Sequence, residues 1–247
     1  MASREPRSPA RRSRTARGHD DGPGAGRAAR PGVRAPRAPE YELPVLRPAD
    51  GYDLEPGGDC DGLEFADMDL ADGEGRGANI LGCVLRRCAL DRADLRRARL
   101  VDTLLEEVRG VGTDLAEAVL RDVELVDARL GGVQLSAAEL NRVRVRGGKI
   151  DYLNLRQARL TDVVFEGCVL VEPDFGGATL ERVSFEGCDL RGVDLNQATL
   201  RDTDLRGVAG LEITRGVERL EGAVVTPAQL LDLAPVLAAA MGLRVEN

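Results

Sequence analysis

The chain has 247 residues, of which 43% are hydrophobic and only 3% are aromatic, and it contains no tryptophan. A core anchored by large aromatic side chains is therefore excluded, and many aliphatic groups must fill it instead. No apolar run reaches the roughly 18 residues of a membrane-spanning helix, and the arginine-rich start lacks the apolar region of a signal peptide. We expect a cytoplasmic protein that makes no contact with a membrane.

Charge is divided unevenly along the chain. Residues 1–47 hold eleven arginines and five acidic residues, so the formal total of −8 leaves −14 for residues 48–247. Pro, Gly, Arg and Ala dominate residues 1–39, and this composition cannot bury enough surface to offset the entropy of ordering. We predict a disordered basic tail over residues 1–39. Such a tail could touch nucleic acid through phosphates, although its lack of aromatic residues favours a simply solvated leader.

Residues with catalytic or metal-binding chemistry are scarce. The single histidine, His19, lies in the basic tail, which leaves no histidine-based triad or zinc site for the folded part. The cysteines have no C-x-x-C spacing and are odd in number, so we expect reduced, buried thiols. We therefore predict no enzyme, catalytic residue, metal ion, cofactor or small-molecule substrate. The five cysteines are Cys60, Cys83, Cys88, Cys168 and Cys188.

A strict five-residue period runs through most of the chain. Every fifth residue from Phe65 to Leu205 is Leu, Phe, Ile or Val at 27 of 29 positions, and only Gly75 and Gly110 break the series. Two residues before each of these lies a second register that is mostly small. An α-helix repeats near 3.6 residues and a strand at 2, so neither would keep these side chains on one face.

Stretches such as "ADLRR", "TDLAE" and "VDLNQ" resemble the A(D/N)LXX motif of the pentapeptide-repeat family, over about 60% of the chain. The resemblance implies an all-β fold, a right-handed quadrilateral parallel β-helix in which each pentapeptide forms one side and four form a coil. Both the large and the small registers would then point inward. At a strand spacing of about 4.8 Å, the 29 sides predict about seven coils and a rod of roughly 35 Å.

Similarity between segments that lie four pentapeptides apart, the length of one such coil, supports this interpretation. The stretch "VVFEGCVL" at 163–170 matches "VSFEGCDL" at 183–190, which predicts that Phe165 stacks on Phe185 and that Cys168 lies over Cys188. Thiols that project in parallel are poorly angled for a disulfide, so we expect them to stay unpaired. A glycine recurs at the same offset and predicts a column of corners with positive φ, at Gly147, Gly167, Gly187 and Gly207.

Both ends of the repeat region, residues 63–210, need caps. We predict an N-terminal cap over residues 40–62 and a C-terminal cap with a kinked helix over residues 211–247. In the second, the sequence predicts Thr226 as the helix N-cap with Gln229 as its capping-box partner, a kink or break at Pro235 and a stop at Gly242.

An apolar stripe along this helix includes Leu230, Leu237 and Met241. The C-terminal element resembles that of the mycobacterial fluoroquinolone-resistance member of the family, in which it forms a dimer interface. Two interpretations stay open. The stripe either caps the chain's own last coil or forms the contact of a homodimer.

An acidic column is predicted on one side of the β-helix, with Gln134 and Asn154 in its middle. These carboxylates could mimic DNA phosphates or could cap the turns of the coil, and the family motif favours turn capping. Two functions remain open: a non-enzymatic, acidic, rod-shaped scaffold that binds a protein partner, or a DNA mimic that protects or inhibits DNA gyrase. The members of the column are Asp94, Asp114, Asp174 and Asp194.

Overall fold

The structure of the protein is a computed structural model that describes residues 32–50 and 54–246. This part of the chain forms an all-parallel β solenoid of about nine turns, a pentapeptide-repeat β-helix, with one short C-terminal helix. The predicted fold class is confirmed. The basic tail, with His19, lies outside the described residues up to residue 31.

Short strands form the sides of the coil, and one helix follows them. The first nine strands are β1 (Arg47–Pro48), β2 (Asp59–Asp61), β3 (Leu63–Ala66), β4 (Asn79–Leu81), β5 (Val84–Arg86), β6 (Arg99–Glu106), β7 (Arg109–Val111), β8 (Val119–Val126) and β9 (Arg129–Gly131). The others are β10 (Glu139–Arg146), β11 (Lys149–Asp151), β12 (Arg159–Glu166), β13 (Val169–Val171), β14 (Thr179–Glu186), β15 (Asp189–Asp194), β16 (Thr199–Asp204), β17 (Gly210–Arg215) and β18 (Ala223–Val224). A 3-10 turn spans Val217–Arg219, and helix α1 spans Pro227–Ala240.

Neighbouring coils pair in parallel at an offset of four pentapeptides. Within one coil, Leu100 lies on the first side, Leu105 on the second, Gly110 on the third and Leu115 on the fourth. The long strands β6, β8, β10, β12 and β14 each cover the first two sides and belong to a twelve-stranded sheet, and a six-stranded sheet forms the third side. Isolated bridges, such as Asp94 with Asp114, continue the pairing on the fourth side.

The core is a stack of the side chains that recur every five residues. Leu95, for example, is only 2% exposed, and the ring centroids of Phe165 and Phe185 lie 4.9 Å apart with their planes 5° from parallel. The predicted stack is confirmed. At Gly75, where the apolar series breaks, the Leu54 side chain fills the space that a larger residue would occupy. A Cβ atom added to Gly75 would lie only 2.7 Å from the Leu54 Cδ1 atom.

The number of coils exceeds the predicted seven, because pairing continues beyond residues 63–210 at both ends. At the start, β1 pairs with β3 and β2 pairs with β4, inside the segment expected to be a cap. At the other end, β17 and β18 extend the two sheets. These end strands keep the backbone hydrogen bonds of the ladder, but apart from the buried Cys60 they lack inward residues in the five-residue series on which the prediction depended.

One extra residue enters the coil after Leu205. Strand β15 pairs with β17 so that Leu190 lies beside Leu211, one position beyond the regular offset of four pentapeptides. Gly207 therefore lacks the left-handed backbone that we predicted for its column, and this part of the prediction is wrong. The other three glycines have φ of 66°, 63° and 62°, at Gly147, Gly167 and Gly187.

All five cysteines are buried and none forms a disulfide, as the sequence predicts. The Cys168 Sγ atom lies 3.3 Å from the Val145 carbonyl, and the Cys168 N–H donates to the Cys188 Sγ atom at 3.4 Å. Burial raises the pKa of the Cys88 thiol, which keeps the reactive thiolate form scarce at neutral pH. These residues act as small apolar groups of the inward register.

Helix α1 has the predicted ends. The Thr226 side chain accepts the N–H of Gln229 at 3.1 Å, and the Gln229 side chain accepts the N–H of Thr226 at 2.8 Å, which is a complete capping box. Gly242, with φ of 74°, ends the helix. The helix is continuous through Pro235, so the expected break does not occur.

The chain before β1 lies along the outside of the solenoid. Residues 33–44, which we call the docked segment, follow the corner between the first and second sides. The Arg37 guanidinium contacts the Asp162 carboxylate at 2.7 Å, and the Glu40 N–H donates to the Asp122 carboxylate at 3.2 Å. Residues 33–39, expected to be disordered, are thus held against the coil, because corner carboxylates bind their backbone and side chains.

Replacing Leu120 tests the inward register. We expect Leu120→Ala to lower the free energy of unfolding by about 2–5 kcal/mol, because Leu120 is 3% exposed between Leu100 and Leu140 and its removal leaves a cavity. Val111→Ala is the control, since Val111 is 64% exposed, and it should change the free energy by less than about 0.5 kcal/mol. Urea unfolding followed by circular dichroism measures both, and equal effects would contradict the register.

Asp162 should make the fold sensitive to acid. Burial by itself would raise the pKa of this carboxyl, but hydrogen bonds from Arg182 and Arg37 outweigh it and hold the pKa at about 2, below its ordinary value of 3.8. The stabilisation is therefore complete above about pH 4 and is lost as pH falls towards 2, by about 2 kcal/mol.

Urea unfolding between pH 2 and pH 6 measures this dependence. We expect Asp162→Asn to remove that part of the acid slope. Asp67→Asn is the matched control, because Asp67 also pairs with an arginine, Arg87, but its side chain is 64% exposed and solvent screens the pair. The same slope in both variants would show that the buried pair does not set the acid sensitivity.

Candidate partner-binding surfaces

The predicted acidic column lies on the fourth side of the solenoid. Parallel bridges place Asp94 beside Asp114 and Asp174 beside Asp194, with Gln134 and Asn154 between the two pairs. The column thus follows the long axis at one residue per coil, about 4.8 Å apart. The structure brings all four predicted carboxylates to one face.

Each carboxylate of the column binds the turn that follows it. One oxygen accepts the backbone N–H two residues further on, which is the geometry of an Asx turn. Asn154 makes the same bond, at 3.1 Å, to the N–H of Arg156. Turn capping therefore accounts for the Asp and Asn residues of the repeat motif at this position. The distances are 3.2 Å from Asp94 to Arg96, 3.0 Å from Asp114 to Ala116, 2.8 Å from Asp174 to Gly176 and 2.8 Å from Asp194 to Asn196.

Arginines offset much of the column's charge. Arg76 contacts Asp94 at 3.0 Å, and Arg156 contacts Asp174 at 3.0 Å. Near the C-terminal end, Arg215 contacts Asp194 at 3.3 Å, and that aspartate side chain is only 13% exposed. A partner would therefore meet alternating carboxylate and guanidinium groups rather than a continuous line of negative charge.

Ion pairs between adjacent coils cover other corners of the solenoid. Arg87 lies one coil from Asp67, and Arg92 lies one coil from Asp72, each at 2.6 Å. The hydrogen bond from Arg87 lowers the pKa of Asp67. Sequence analysis did not identify these pairs, although opposite charges four pentapeptides apart were a visible signal. The pairing reduces the acidic field expected from the net charge.

One column on the third side is basic. Arg109 lies beside Arg129, and Arg129 lies beside Lys149, in register on three successive coils. Gly131 and Gly148 leave a shallow depression next to these side chains. Like charges in register repel each other, so Arg109 and Arg129 raise the local positive potential, whereas Lys149 pairs with Asp151 at 2.7 Å. The rod therefore presents faces of different charge.

Helix α1 divides the predicted apolar stripe between two roles. Leu237 packs against the solenoid core, together with Leu233, which is 4% exposed and which sequence analysis missed. Leu230 and Met241 instead face outward and are 52% and 76% exposed, next to Leu231 at 75%. The helix is a cap that also presents an uncovered apolar surface. Its inner and outer faces match the two alternatives that the sequence left open.

Across residues 32–50 and 54–246, no cluster of three or more His, Cys, Asp or Glu side chains is arranged to hold a metal ion. In the same part of the chain, no helix is both long and apolar enough to cross a membrane.

A four-sided parallel β-helix with inward residues at every fifth position defines a pentapeptide-repeat solenoid. The sequence profile described as "Pentapeptide repeat region" matches residues 78–155 and 158–213, more than half of the chain. The protein belongs to the pentapeptide-repeat family. No curated protein sequence matches the chain.

Solved structures of other pentapeptide-repeat proteins are similar to the chain. A trypsin-treated form of QnrB1, a plasmid-mediated fluoroquinolone resistance protein, has 19% identity and a TM-score of 0.33, covering 81% of this chain and 96% of QnrB1. HetL, a regulator of heterocyst differentiation from the cyanobacterium Nostoc sp. strain PCC 7120, has 23% identity and a TM-score of 0.28, covering 68% of this chain and 89% of HetL.

Asp174 provides a test of turn capping against charge. We expect Asp174→Ala to lower the free energy of unfolding by about 1 kcal/mol, because the Gly176 N–H loses its acceptor. Asp174→Asn should stay near the wild type, because an amide oxygen can accept the same bond.

Thermal or urea unfolding measures both Asp174 variants. Asp189→Ala is the control at a similar exposure of 31%, where the carboxylate accepts from the Arg191 side chain. If the Asn and Ala variants lose equal stability, then charge and not capping is the contribution of this position.

Proposed function

We propose that the protein is a non-enzymatic scaffold whose rod binds a protein partner. The observation that carries the proposal is the arrangement of its outer side chains in columns, one residue per coil, on a backbone fixed by parallel hydrogen bonds. Because the large apolar residues of the repeat point inward, the outer residues are free to specify a partner. A rigid surface of this kind loses little entropy on binding.

The charge of the rod suggests the chemistry of its partner. Residues 48–247 carry a net charge of −14, so a basic surface is the favoured complement. Attraction between such surfaces speeds association and weakens as salt rises, since exposed charges are screened over about 8 Å at physiological ionic strength. The basic part of the third side, at Arg109 and Arg129, would give the complex one orientation, because it repels a basic partner.

DNA mimicry toward DNA gyrase is the alternative function. It is supported by the family resemblance, by the net charge and by a length of about 43 Å for nine coils, which matches about a dozen steps of B-DNA at 3.4 Å. The arginines paired with the acidic column count against it, because DNA presents no alternating positive groups.

A gyrase supercoiling assay separates the two functions. Mimicry predicts that the full-length protein inhibits gyrase, or protects it from a fluoroquinolone, more strongly at low than at moderate salt. A variant with Asn in place of Asp94, Asp114, Asp174 and Asp194 keeps the turn caps and should lose that effect. A scaffold with another partner predicts no effect on gyrase at either salt concentration.

A pull-down from the native host identifies that other partner. The scaffold proposal predicts that the full-length protein enriches one protein reproducibly and that added salt reduces its recovery. The four-Asn variant should recover less of it if the fourth side is the contact. Absence of any reproducible protein under low-salt conditions would contradict the proposal.

The outer face of α1 is a candidate homodimer contact. We infer that Leu230 and Met241 pack against a second copy, because the helix already covers the solenoid with its other face and leaves these residues exposed. A contact through one helix at the end of each rod would give an extended dimer with two-fold symmetry. This arrangement would leave all four sides free for a partner.

Sedimentation at micromolar concentration tests the dimer. We expect the wild type to sediment as a dimer and the Leu230→Asp/Met241→Asp variant as a monomer with an unchanged circular dichroism spectrum. Val111→Asp is the control, because it adds a charge to an exposed position on the third side. A monomeric wild type would rule out this contact.

A further inference from the structure

The docked segment binds the corner between the first and second sides through a regular set of backbone hydrogen bonds. The N–H groups of Arg34, Arg37 and Glu40, every third residue, each donate to an aspartate carboxylate. Their distances are 3.3 Å to Asp202, 3.2 Å to Asp162 and 3.2 Å to Asp122. The acceptors follow the opposite order along the chain at intervals of two coils, so the docked segment spans two coils for every three of its own residues.

Two independent spacings agree at this corner. Two coils correspond to about 9.6 Å along the solenoid axis. Three residues of polyproline II backbone rise about 9.3 Å. The docked segment, "VRAPRAPEYELP", repeats Arg-Ala-Pro twice, and proline favours that backbone. The rise of three peptide residues therefore matches the height of two coils, and each Arg-Ala-Pro repeat meets an equivalent carboxylate.

Burial within the docked segment has the same period. Val33, Pro36 and Pro39 are partly buried against the coil, whereas Arg34 and Arg37 are exposed. Polyproline II has three residues per turn, so one residue in three faces the surface. Prolines therefore contact the solenoid, and the residue after each one supplies the N–H that proline lacks.

Side chains add selectivity to the backbone contacts. The Arg37 guanidinium binds one oxygen of Asp162 through two nitrogens, at 2.7 Å and 3.0 Å. The Asp162 side chain is fully buried and also accepts from Arg182 at 2.7 Å, so it is held in one orientation. The Tyr41 hydroxyl lies 3.2 Å from the Glu124 carboxylate.

The corner also changes shape where the docked segment ends. Gly62 and Gly82 replace larger residues there, and a Cβ on them would lie 3.3 Å and 3.1 Å from side-chain atoms of Pro44. Glycine thus leaves room for the proline ring. The corner thus has aspartates where the docked segment donates N–H groups, and it has glycines where the ring of Pro44 needs space.

We propose that this corner is a peptide-binding groove for an extended polyproline II peptide with the Arg-Ala-Pro repeat, and that the docked segment of a second copy can occupy it. Polyproline II has no internal hydrogen bonds, so leaving the groove costs the segment no structure of its own. The Arg-Ala-Pro repeats insert no side chain into the core. A second copy carries the same sequence and so fits the same carboxylates.

Peptide binding to full-length variants tests the groove. The probe is a fluorescein-labelled peptide of residues 32–44, measured by anisotropy. Arg37→Ala weakens the chain's own segment but leaves the groove intact, so this variant should bind the peptide about tenfold more tightly than the wild type does. Adding Asp162→Asn to that variant should remove the gain.

A peptide of the same composition in scrambled order is the control for charge. It keeps both arginines and loses the period of three, so we expect the Arg37→Ala chain to bind it at least about tenfold more weakly. Equal binding of the two peptides would overturn the groove, whatever the Asp162 variant does. Circular dichroism establishes that each variant is folded.

Capture of one full-length chain by another tests whether the docked segment of a second copy occupies the groove. A tagged Arg37→Ala chain, with an intact groove, should capture an untagged Asp162→Asn chain, whose segment is intact. A tagged Arg37→Ala/Asp162→Asn chain should capture much less, and this comparison subtracts any dimer formed through α1. Equal capture by both tagged chains, or peptide binding without capture, would show that a second copy is not the occupant.

Discussion

From Gly57 to Asp202, each side of the coil ends in a residue with a left-handed backbone, and the rest of the structure depends on this corner. The residue two positions after each inward position has positive φ at all thirty corners from Gly57 to Asp202, and nineteen of these residues are not glycine. A left-handed non-glycine residue costs roughly 1 kcal/mol. The strain persists because the corner N–H joins the ladder, as when Arg97 donates to the Ala116 carbonyl at 2.9 Å.

Because the corners are fixed, they also determine which side chains lie next to each other on the outer surface. Side chains at one level lie directly over those of the preceding coil, so a charge meets either an opposite or a like charge there. Asp67 and Arg87 illustrate the first case, and Arg109 and Arg129 illustrate the second. Net charge alone is therefore a poor guide to the surface. Recognition by this solenoid depends on the order of charges within each column.

The inward register could be predicted because burial imposes it on every pentapeptide, and the stack of Phe165 on Phe185 followed from the offset of four pentapeptides. The capping box at Thr226 and Gln229 also has a local sequence signal. The end coils escaped prediction because backbone pairing needs no particular side chain. The docked segment was missed because its proline-rich composition resembles a disordered tail, and only its contact with the solenoid orders it.

For the acidic column, the sequence predicted the face and indicated that arginines dilute its charge, but it did not predict which arginine pairs with which aspartate. Arg215, for example, follows the extra residue after Leu205, so its place beside Asp194 is known only from the structure. Likewise, the amphipathic pattern of α1 suggested a stripe, yet Leu233 as its inward anchor depends on how the helix crosses the last coil. The sequence therefore predicted the coils and the helix, but it did not predict the contacts that side chains make between coils or between α1 and the last coil.

The docked segment matches the corner only when an even number of coils separates the carboxylates that it contacts. From Asp122 to Asp202 along that corner, aspartate alternates with arginine, so that Arg142 lies between Asp122 and Asp162. Loss of a single coil would keep the inward five-residue period but would shift part of the column by about 4.8 Å, placing guanidinium groups opposite N–H donors. Related proteins with a longer or shorter solenoid should therefore differ from this one by two coils at a time. Each such step should add or remove three residues of the docked segment.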